Sequence, residues 1–400
     1  MIRGVIRQIH LWAGIALCVP LVLLGLTGSL LVFEDELTGI FTPPPPVAVG
    51  DAKPVSAVIA AARAAAPAGF VTQSYIAAPP KGLATVRLIP PRRGGEKASA
   101  AAARPGGEML RISVDPVSLA TYTNPAEGFL RQVFYLHTNL LLKTREGRQL
   151  VGWLGVVMLI MGISGLVNWL PRPNQWRNGQ WRRAFAVRRG ARGFLLNREL
   201  HGAAGIWGLV VFVVVSFGGV ELAFPETVRA IVNVAMPARD LRAGAAAIKV
   251  EPQRGAEPMA IDDAIALARS QVPDADLRFV FLPMRPDQPI RVALSRAGQE
   301  RREPTATVFI DPWTRRIVDT YDPRQYSAGE SLLAWQHAIH AGQGLGPIWK
   351  VLVFFVGFLP LLFSATGLAM WWLKRCRRAV VDAAADAIVD PVYTARRAGE

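Results

Sequence analysis

The sequence has few charged residues and only two cysteines. Charged residues make up 19% of the 400 positions, whereas hydrophobic residues make up 51%. This balance excludes a disordered chain, which needs low hydrophobicity and high charge. Cys18 and Cys376 are too few for a disulfide framework. The apolar residues lie in long uncharged runs, so the sequence predicts a membrane protein whose surroundings are the lipid bilayer.

Four runs contain no Asp, Glu, Lys or Arg and are long enough to cross a bilayer. They are residues 11–33, 150–170, 202–220 and 351–373. A helix of about 20 residues spans the hydrocarbon core at about 1.5 Å per residue, so four transmembrane helices are expected. The first run is too long for a signal peptide and no small-residue cleavage site follows it, which favours an uncleaved anchor.

Basic residues predict the orientation of these helices. The segment 171–198 contains eight arginines and no acidic residue. The positive-inside rule therefore places it in the cytoplasm, together with both termini. Because much of the net charge of +15 flanks the apolar runs, it does not indicate a nucleic-acid partner.

Two longer segments, 38–127 and 225–327, are then predicted to face outward. Each begins with a Pro-rich or irregular stretch (43–46 and 236–237). A helical run (53–66 and 259–272), strand-like pieces (83–89 and 290–295) and a Val/Ile-Asp-Pro turn then follow. Residues 90–108, rich in Arg, Gly and Ala, are expected to form a flexible loop. The remaining predicted segments are 1–37 (N-terminus and first span), 128–171 (outer-side helix and second span), 172–198 (basic cytoplasmic loop), 199–224 (third span), 328–373 (outer-side helix and fourth span) and 374–400 (cytoplasmic tail).

The two halves of the chain resemble each other. RQIHLWAGI at 7–15 matches RELHGAAGI at 198–206, and SGLVNWLPR at 164–172 matches TGLAMWWLKR at 366–375. One unit of span, outer domain and span therefore occurs twice, and both copies enter from the same side. The expected fold class is an α-helical membrane protein with four transmembrane helices in two parallel repeats, each carrying an α+β outer domain.

All five histidines lie at or near the start of a span. His10 and His201 are expected on the cytoplasmic side, and His137, His337 and His340 on the outer side. Two axial histidines fill both positions of b-type haem iron, which suits electron transfer. A histidine pair on each side predicts two haem b groups.

Neighbouring residues support this prediction and leave alternatives open. Arg7 and Arg198 each precede a histidine by three positions, so their guanidinium groups are candidates for haem propionates. His340 matches His137 better than His337 does, and His337 is an alternate ligand or an outer partner. The histidines could instead anchor the chain at the interface, and His337 with His340 could bind zinc or copper. Glycines within the spans would admit a flat macrocycle or simply pack helices: Gly14, Gly25, Gly28, Gly152, Gly155, Gly162, Gly165, Gly205 and Gly208.

With these motifs, and with LHTNLL before the second span, the sequence resembles the PepSY-associated transmembrane family of bacterial inner membranes. The resemblance covers essentially the whole chain. It implies PepSY-like outer domains. For iron-regulated members it also implies an oxidoreductase that reduces ferric siderophores in the periplasm with electrons carried through membrane haems. Since no flavodoxin-like module is recognised, the electron donor is expected to be quinol or a cytoplasmic flavoprotein.

The leading hypothesis is thus a haem-dependent ferrisiderophore reductase that works by outer-sphere electron transfer and needs no catalytic residue. Arg87, Arg278, Arg291 and Tyr75 are candidates for a docking surface, although exposed strand arginines are usually only solvated. A non-enzymatic PepSY-type protein that binds a periplasmic partner is the alternative. A metal permease is disfavoured because the nearest acids, Glu34, Asp35 and Glu221, lie at the ends of spans.

Overall fold

The computed structural model describes residues 2–41, 45, 47–78, 82–90, 109–122, 127–171, 175, 177, 180–253 and 255–397. The predicted flexible loop at 90–108 lies almost entirely outside these residues, as does most of the Pro43–Pro46 stretch. The chain forms two compact units. The helical unit consists of Met1–Val32, Gln132–Phe224 and Ile339–Glu400, and the sheet unit consists of Phe33–Arg131 and Pro225–Ala338.

The helices are α1 (Ile2–Ala16), α2 (Cys18–Val32), α3 (Glu34–Phe41), α4 (Val55–Ala65), α5 (Glu127–Asn139), α6 (Thr144–Trp169), α7 (Gly193–Ala223), α8 (Pro225–Ala235), α9 (Leu241–Ala247), α10 (Ile261–Gln271), α11 (Ala328–Ala334), α12 (Gln336–His340), α13 (Gly346–Val356) and α14 (Leu359–Arg397). The strands are β1 (Val71–Ile76), β2 (Ala84–Ile89), β3 (Leu110–Val114), β4 (Thr121–Tyr122), β5 (Ala275–Phe281), β6 (Ile290–Arg296), β7 (Ala306–Asp311) and β8 (Arg316–Tyr321). Short 3₁₀ turns cover Gln180–Phe185 and Pro323–Gln325.

Within the described residues, three helices are long and apolar enough to cross a membrane. They are α6, α7 and the stretch Gly346–Val380 formed by α13 and part of α14. A fourth span results if α1 and α2, which are bent by 69°, are counted together. The lengths and compositions support a multi-pass membrane protein, with three to four helices able to span a bilayer.

Prolines account for both breaks in these apolar segments. Proline has no N–H group and its ring crowds the carbonyl four residues earlier, which interrupts a helix. Pro20 lies four residues after the end of α1 at Ala16, and Pro360 lies four residues after the end of α13 at Val356. The Ser29 hydroxyl donates to the carbonyl of Phe354 at 2.7 Å, near the second break. Such a bond satisfies a backbone group that water cannot reach in a bilayer.

The strands of the two predicted outer segments form one eight-stranded sheet. Its order is β4-β3-β2-β1-β5-β6-β7-β8, and every neighbouring pair is antiparallel. Each segment contributes four consecutive strands, and the two sets meet where β1 pairs with β5. The predicted strand pieces at 83–89 and 290–295 correspond to β2 and β6.

Helices α4 and α10 supply apolar side chains to one hydrophobic core with the sheet. Alternate strand residues such as Val86 and Val292 are fully buried in it, as the period-two pattern of a half-covered strand requires. Val58 and Ala268 pack in the same cluster from the two helices. Ser56 bonds Asp262 between the two helices. The core is therefore shared by both halves of the chain.

The two Asp-Pro turns have the same internal geometry. Asp115 accepts hydrogen bonds from the Val117 N–H at 2.9 Å and the Ser118 hydroxyl at 2.6 Å. Asp311 accepts from the Trp313 N–H at 2.8 Å and the Thr314 hydroxyl at 2.7 Å. Each turn places a non-glycine residue in the left-handed region, Leu119 at φ 65° and Arg315 at φ 56°. A short polar side chain that bonds its own turn explains the choice of Asp.

Candidate functional site

Two histidine pairs lie inside the helical unit. The inner pair is His10 of α1 with His201 of α7, and their ring centroids are 6.2 Å apart with an angle of 70° between the ring planes. The outer pair is His137 of α5 with His340 of α12, at 6.0 Å and 45°. Each pair takes one histidine from each half of the chain. His337 is exposed, and the ring that lies against His137 is that of His340.

In the inner pair, each ring is held by a hydroxyl group. His10 Nδ1 lies 2.8 Å from Ser164 Oγ, and His201 Nδ1 lies 2.8 Å from Thr366 Oγ1. Each hydroxyl donates its own hydrogen to a carbonyl in its helix: Ser164 to Met161 at 3.2 Å and Thr366 to Leu362 at 2.7 Å. The oxygen is then left to accept from Nδ1–H. The unprotonated nitrogen of both rings is therefore Nε2.

In the outer pair, main-chain carbonyls take this role. His137 Nδ1 lies 3.1 Å from the Leu24 carbonyl and 3.1 Å from Thr27 Oγ1, and His340 Nδ1 lies 2.8 Å from the Val215 carbonyl. A carbonyl oxygen can only accept, so Nδ1 carries the hydrogen in both rings. All four histidines thus present an Nε2 lone pair, with the second nitrogen fixed by a hydrogen bond as in protein metal sites.

A glycine lies beside each of the four rings. A Cβ atom added at Gly165 would lie 3.4 Å from His10 Cε1, and one at Gly367 would lie 4.0 Å from His201 Cε1. At Gly28 the distance to His137 Cε1 is 2.9 Å, and at Gly219 the distance to His340 Cε1 is 3.2 Å. At Gly28 and Gly219 in particular, a side chain would press on the ring.

The other glycines predicted to admit a macrocycle have different neighbours. Gly25 lies against Gly357 and Pro360, Gly152 against Ala223 and Phe224, and Gly155 against Val220. Gly14 faces Met161, Gly162 faces Val213 and Phe212, Gly205 faces Phe363, and Gly208 faces Leu359. These seven positions therefore pack helices together, the alternative role considered for small residues in spans.

The histidine pairs fit the axial ligation of a haem. Two imidazoles bound through nitrogen to one metal have ring centroids about 6 Å apart, because each metal–nitrogen bond is about 2 Å and each nitrogen lies about 1.2 Å from its ring centre. Both observed separations match this value. Any angle between the ring planes is compatible, since both planes contain the metal–nitrogen axis.

The number of protein ligands also suits a metal that brings its own equatorial ligands. In the described part of the chain, no group of three or more His, Cys, Asp or Glu residues could hold a metal ion. A bare zinc ion usually takes three or four protein ligands, whereas haem iron needs at most two. Two histidines are the number of ligands that haem iron takes from a protein, and fewer than zinc usually takes.

The predicted propionate partners lie on the same helices as the inner histidines. Arg7 is one turn before His10 on α1, and Arg198 is one turn before His201 on α7. Both side chains are exposed. Each arginine is therefore close to its histidine in sequence, and neither arginine side chain is buried.

The candidate docking residues of the sheet unit differ in exposure. Tyr75 is only 5% exposed and belongs to the hydrophobic core, so it cannot form part of a docking surface. Arg291 lies 4.7 Å from the centre of the Phe281 ring, and burial lowers its pKa. Arg278 lies 5.6 Å from the Phe279 ring, and burial also lowers its pKa. Arg87 is half-buried on β2, beside Arg111 on β3.

Several residues of these sites are not among those predicted above, although the sequence contains a signal for some of them. Ser164 and Thr366 stand directly before Gly165 and Gly367 in the two repeated motifs, so a matched hydroxyl in each motif was visible. In the alignment of 7–15 with 198–206, Gly219 corresponds to Gly28. The Leu24 and Val215 carbonyls could not be found, because a main-chain acceptor leaves no trace in residue type.

Comparison with known proteins agrees with this architecture. The family described as "PepSY-associated TM region" matches residues 7–374, from Arg7 to the basic residue after the last apolar run. Comparison with curated proteins gives no match. Because the matched region covers nearly the whole chain, the protein belongs to the PepSY-associated TM family.

Proposed function

We propose that this protein is an electron conduit of a bacterial inner membrane that holds two haem b groups and reduces a ferric siderophore on the periplasmic side. The observation that carries the proposal is the geometry of the two histidine pairs. Within each pair the ring centroids are about 6 Å apart, and both Nδ1 atoms are already hydrogen-bonded. Buried histidines used only for packing do not need a matched partner at this separation.

The chain's residues would hold the haem on both faces. His10 and His201 would bind the inner one, and His137 and His340 the outer one, through Nε2. When bound, haem iron with two histidines carries one electron at a time and has no open position for oxygen. The hydrogen bonds at Nδ1 keep each ring in place, so little reorganisation accompanies a change of charge.

The direction of transfer follows from the proposed topology. In this proposal four spans form two parallel repeats, both termini are cytoplasmic, and the PepSY-like α+β region is periplasmic. The arginine-rich segment 171–198 supports this orientation through the positive-inside rule. The inner pair would then hold the haem nearer a cytoplasmic-side donor, and the outer pair would hold the haem nearer the substrate.

The described part of the basic loop is folded onto the helical unit. The Trp169 indole N–H donates to the Ala184 carbonyl at 3.1 Å, and the Trp207 indole N–H donates to the Phe185 carbonyl at 3.0 Å. The Phe185 ring lies 5.0 Å from Trp169 and 5.9 Å from Trp207. The donor, quinol or a cytoplasmic flavoprotein, would thus meet an ordered surface near the helix that carries His201.

The chemistry at the outer side needs no nucleophile or general base. One electron reduces Fe³⁺ of the chelate to Fe²⁺, and the electron comes from the donor. Because Fe²⁺ binds hard oxygen ligands more weakly, the iron leaves and the siderophore remains intact. The protein would supply ligation, position and a path through the bilayer.

A reoxidation experiment tests this function. Protein purified in detergent should show reduced b-type haem bands that disappear on acid extraction, since the sequence has no Cys-x-x-Cys-His motif for covalent attachment. After reduction with dithionite, a ferric siderophore should reoxidise the haem in stopped-flow absorbance. The gallium chelate of the same siderophore, which cannot accept an electron, should not. Haem that stays reduced with every ferric chelate contradicts the reductase, and a haem-free protein favours a PepSY-type binding protein.

A labelling experiment tests the topology separately. Ala186 in the basic loop and Ala297 in the sheet unit are exposed, so Cys can replace each one with little disturbance. Cys376 is exposed and is first changed to Ser. In intact spheroplasts an impermeant thiol reagent should label Ala297→Cys and leave Ala186→Cys unlabelled until the membrane is opened. The reverse pattern contradicts the direction of transfer.

A further inference from the structure

The two histidine pairs differ in what accepts their Nδ1 hydrogen. Side-chain hydroxyls accept it in the inner pair, from Ser164 and Thr366. Main-chain carbonyls accept it in the outer pair, from Leu24 and Val215. Both members of each pair share one kind of acceptor although they come from different halves of the chain, and at His137 the Thr27 hydroxyl, 3.1 Å away, is an additional contact. The type of acceptor therefore differs between the inner and outer pairs and not between the two halves of the sequence.

This difference changes the electron density on the ligating nitrogen. A partner that pulls on the Nδ1 hydrogen makes the imidazole a more basic ligand. An amide carbonyl is a stronger acceptor than an alcohol. A more basic ligand stabilises ferric iron relative to ferrous iron, so it lowers the reduction potential of the metal it binds.

The inner hydroxyls are also fixed in orientation. Ser164 is 9% exposed and Thr366 is 3% exposed. Each donates its hydrogen to a carbonyl of its own helix, so its oxygen can act only as an acceptor toward the ring. With each hydroxyl hydrogen directed to its own helix, Nδ1–H donates to the hydroxyl oxygen and the lone pair stays on Nε2.

We propose that Ser164 and Thr366 are positioning residues that fix the ligating tautomer of His10 and His201 and set the reduction potential of the inner haem above that of the outer haem. This inference rests on the proposed function, because it requires haem at both pairs. The inference also gives a specific reason why two sites with the same histidine ligands would have different reduction potentials. The hydroxyl positions would then tune one site without altering the other.

The test is a redox titration followed by absorbance on the full-length, haem-loaded protein, with the inner haem identified from its absence in His201→Ala. In the wild type, the inner haem should have the higher midpoint potential. Ser164→Ala and Thr366→Ala should each shift the inner midpoint upward and leave the outer one in place. Ser164→Thr and Thr366→Ser retain the hydroxyl and should restore the wild-type value.

Ser216→Ala provides the matched control. Ser216 is a 5% exposed serine on α7, and within the described residues its hydroxyl has no hydrogen-bond partner. Its removal should leave both midpoints unchanged. Fully loaded Ala variants with unchanged midpoints, or an equal shift in Ser216→Ala, would overturn the role of the two hydroxyls and leave the conduit intact. A wild-type protein without haem would overturn both proposals.

Discussion

The first and second halves of the chain build the same sites on differently shaped helices. In the first half a break at Leu17, three residues before Pro20, separates α1 from α2 with a bend of 69°, whereas α7 of the second half is continuous over 31 residues. The fourth apolar segment is interrupted before Pro360, whereas α6 is continuous over 26 residues. Each half therefore has one broken segment, at a different place.

The groups around the histidines are nevertheless matched. Each half contributes one histidine to each pair, and each ring has a hydrogen-bond acceptor and a glycine from a neighbouring helix. The two halves therefore differ in where their helices are broken, but both retain the histidine, the hydrogen-bond acceptor and the glycine at each site. This contrast indicates that the histidine sites, rather than the spans as such, constrain the sequence.

The most severe test of this equivalence removes one histidine at a time. His10→Ala and His201→Ala should each cost the same inner haem, because in the proposed function both rings would bind one iron, and should retain the outer haem. His137→Ala and His340→Ala should each cost the outer haem only. Haem content per protein, from the pyridine haemochrome spectrum, should fall from two to one in all four variants.

His337→Ala is the control for these variants. Its side chain is exposed and lies three residues before His340, so it shares the segment without occupying the pair. Its haem content should equal that of the wild type. If His337→Ala lost haem and His340→Ala did not, the assignment of the outer ligand would be wrong.

The sequence predicted much of this organisation because its strongest patterns are physical necessities. A bilayer requires long uncharged runs, and α6 and α7 follow the runs at 150–170 and 202–220 closely. The helical runs at 53–66 and 259–272 contain α4 and α10, where apolar residues recur at helical spacing. Membership of the PepSY-associated TM family is confirmed.

Other features depended on contacts that residue type does not reveal. The continuous sheet requires β1 to pair with β5, and no local pattern says which edge strand meets which. Tyr75 and its neighbour Ser74 are both buried on β1, so strict strand alternation does not predict the burial of Tyr75. The break near Pro20 was detectable, since proline removes one helical hydrogen bond.

A second prediction concerns the glycines beside the histidine rings. The two halves differ in the space between such a glycine and the neighbouring ring. An added Cβ lies 2.9 Å from His137 at Gly28 but 4.0 Å from His201 at Gly367. Overpacking typically costs about 1–3 kcal/mol. Gly28→Ala should therefore displace His137 and lower outer haem occupancy, whereas Gly367→Ala should be tolerated. Haem content and absorbance measure this, and equal losses in both variants would show that the tightness of the contact does not matter.

A third prediction compares the two Asp-Pro turns. The Asp115 carboxylate accepts from Val117, Ser118 and also the Ala48 N–H at 3.0 Å, whereas the Asp311 carboxylate accepts from Trp313 and Thr314. Asp115→Ala should therefore lower the thermal midpoint of unfolding at neutral pH more than Asp311→Ala does. Scanning fluorimetry in detergent measures both, and the opposite order would refute the contribution of the Ala48 contact.

The charge of Asp115 adds a dependence on pH. Its hydrogen bonds, first that from the Ser118 hydroxyl, lower the pKa of this carboxyl from 3.8 to about 2. A carboxyl whose pKa is lower in the folded state stabilises that state fully above about pH 4 and loses the effect as the pH falls toward 2. Wild-type stability should therefore decline more steeply in this window than that of Asp115→Asn, which has no carboxyl to titrate. Parallel slopes would contradict the assignment.

The smallest effect is expected at Thr27, where the halves differ in a single side chain. His137 Nδ1 has both the Leu24 carbonyl and the Thr27 hydroxyl within 3.1 Å, whereas in the alignment of 7–15 with 198–206 Thr27 corresponds to Gly218, which has no hydroxyl. A hydrogen bond contributes about 0.5–1.5 kcal/mol net, and the Leu24 carbonyl remains when the hydroxyl is removed. Thr27→Val should therefore retain two haems and shift the outer midpoint only slightly, by less than Ser164→Ala shifts the inner one. The same redox titration compares the two variants. An outer shift as large as the inner one would show that the hydroxyl, and not the carbonyl, holds His137.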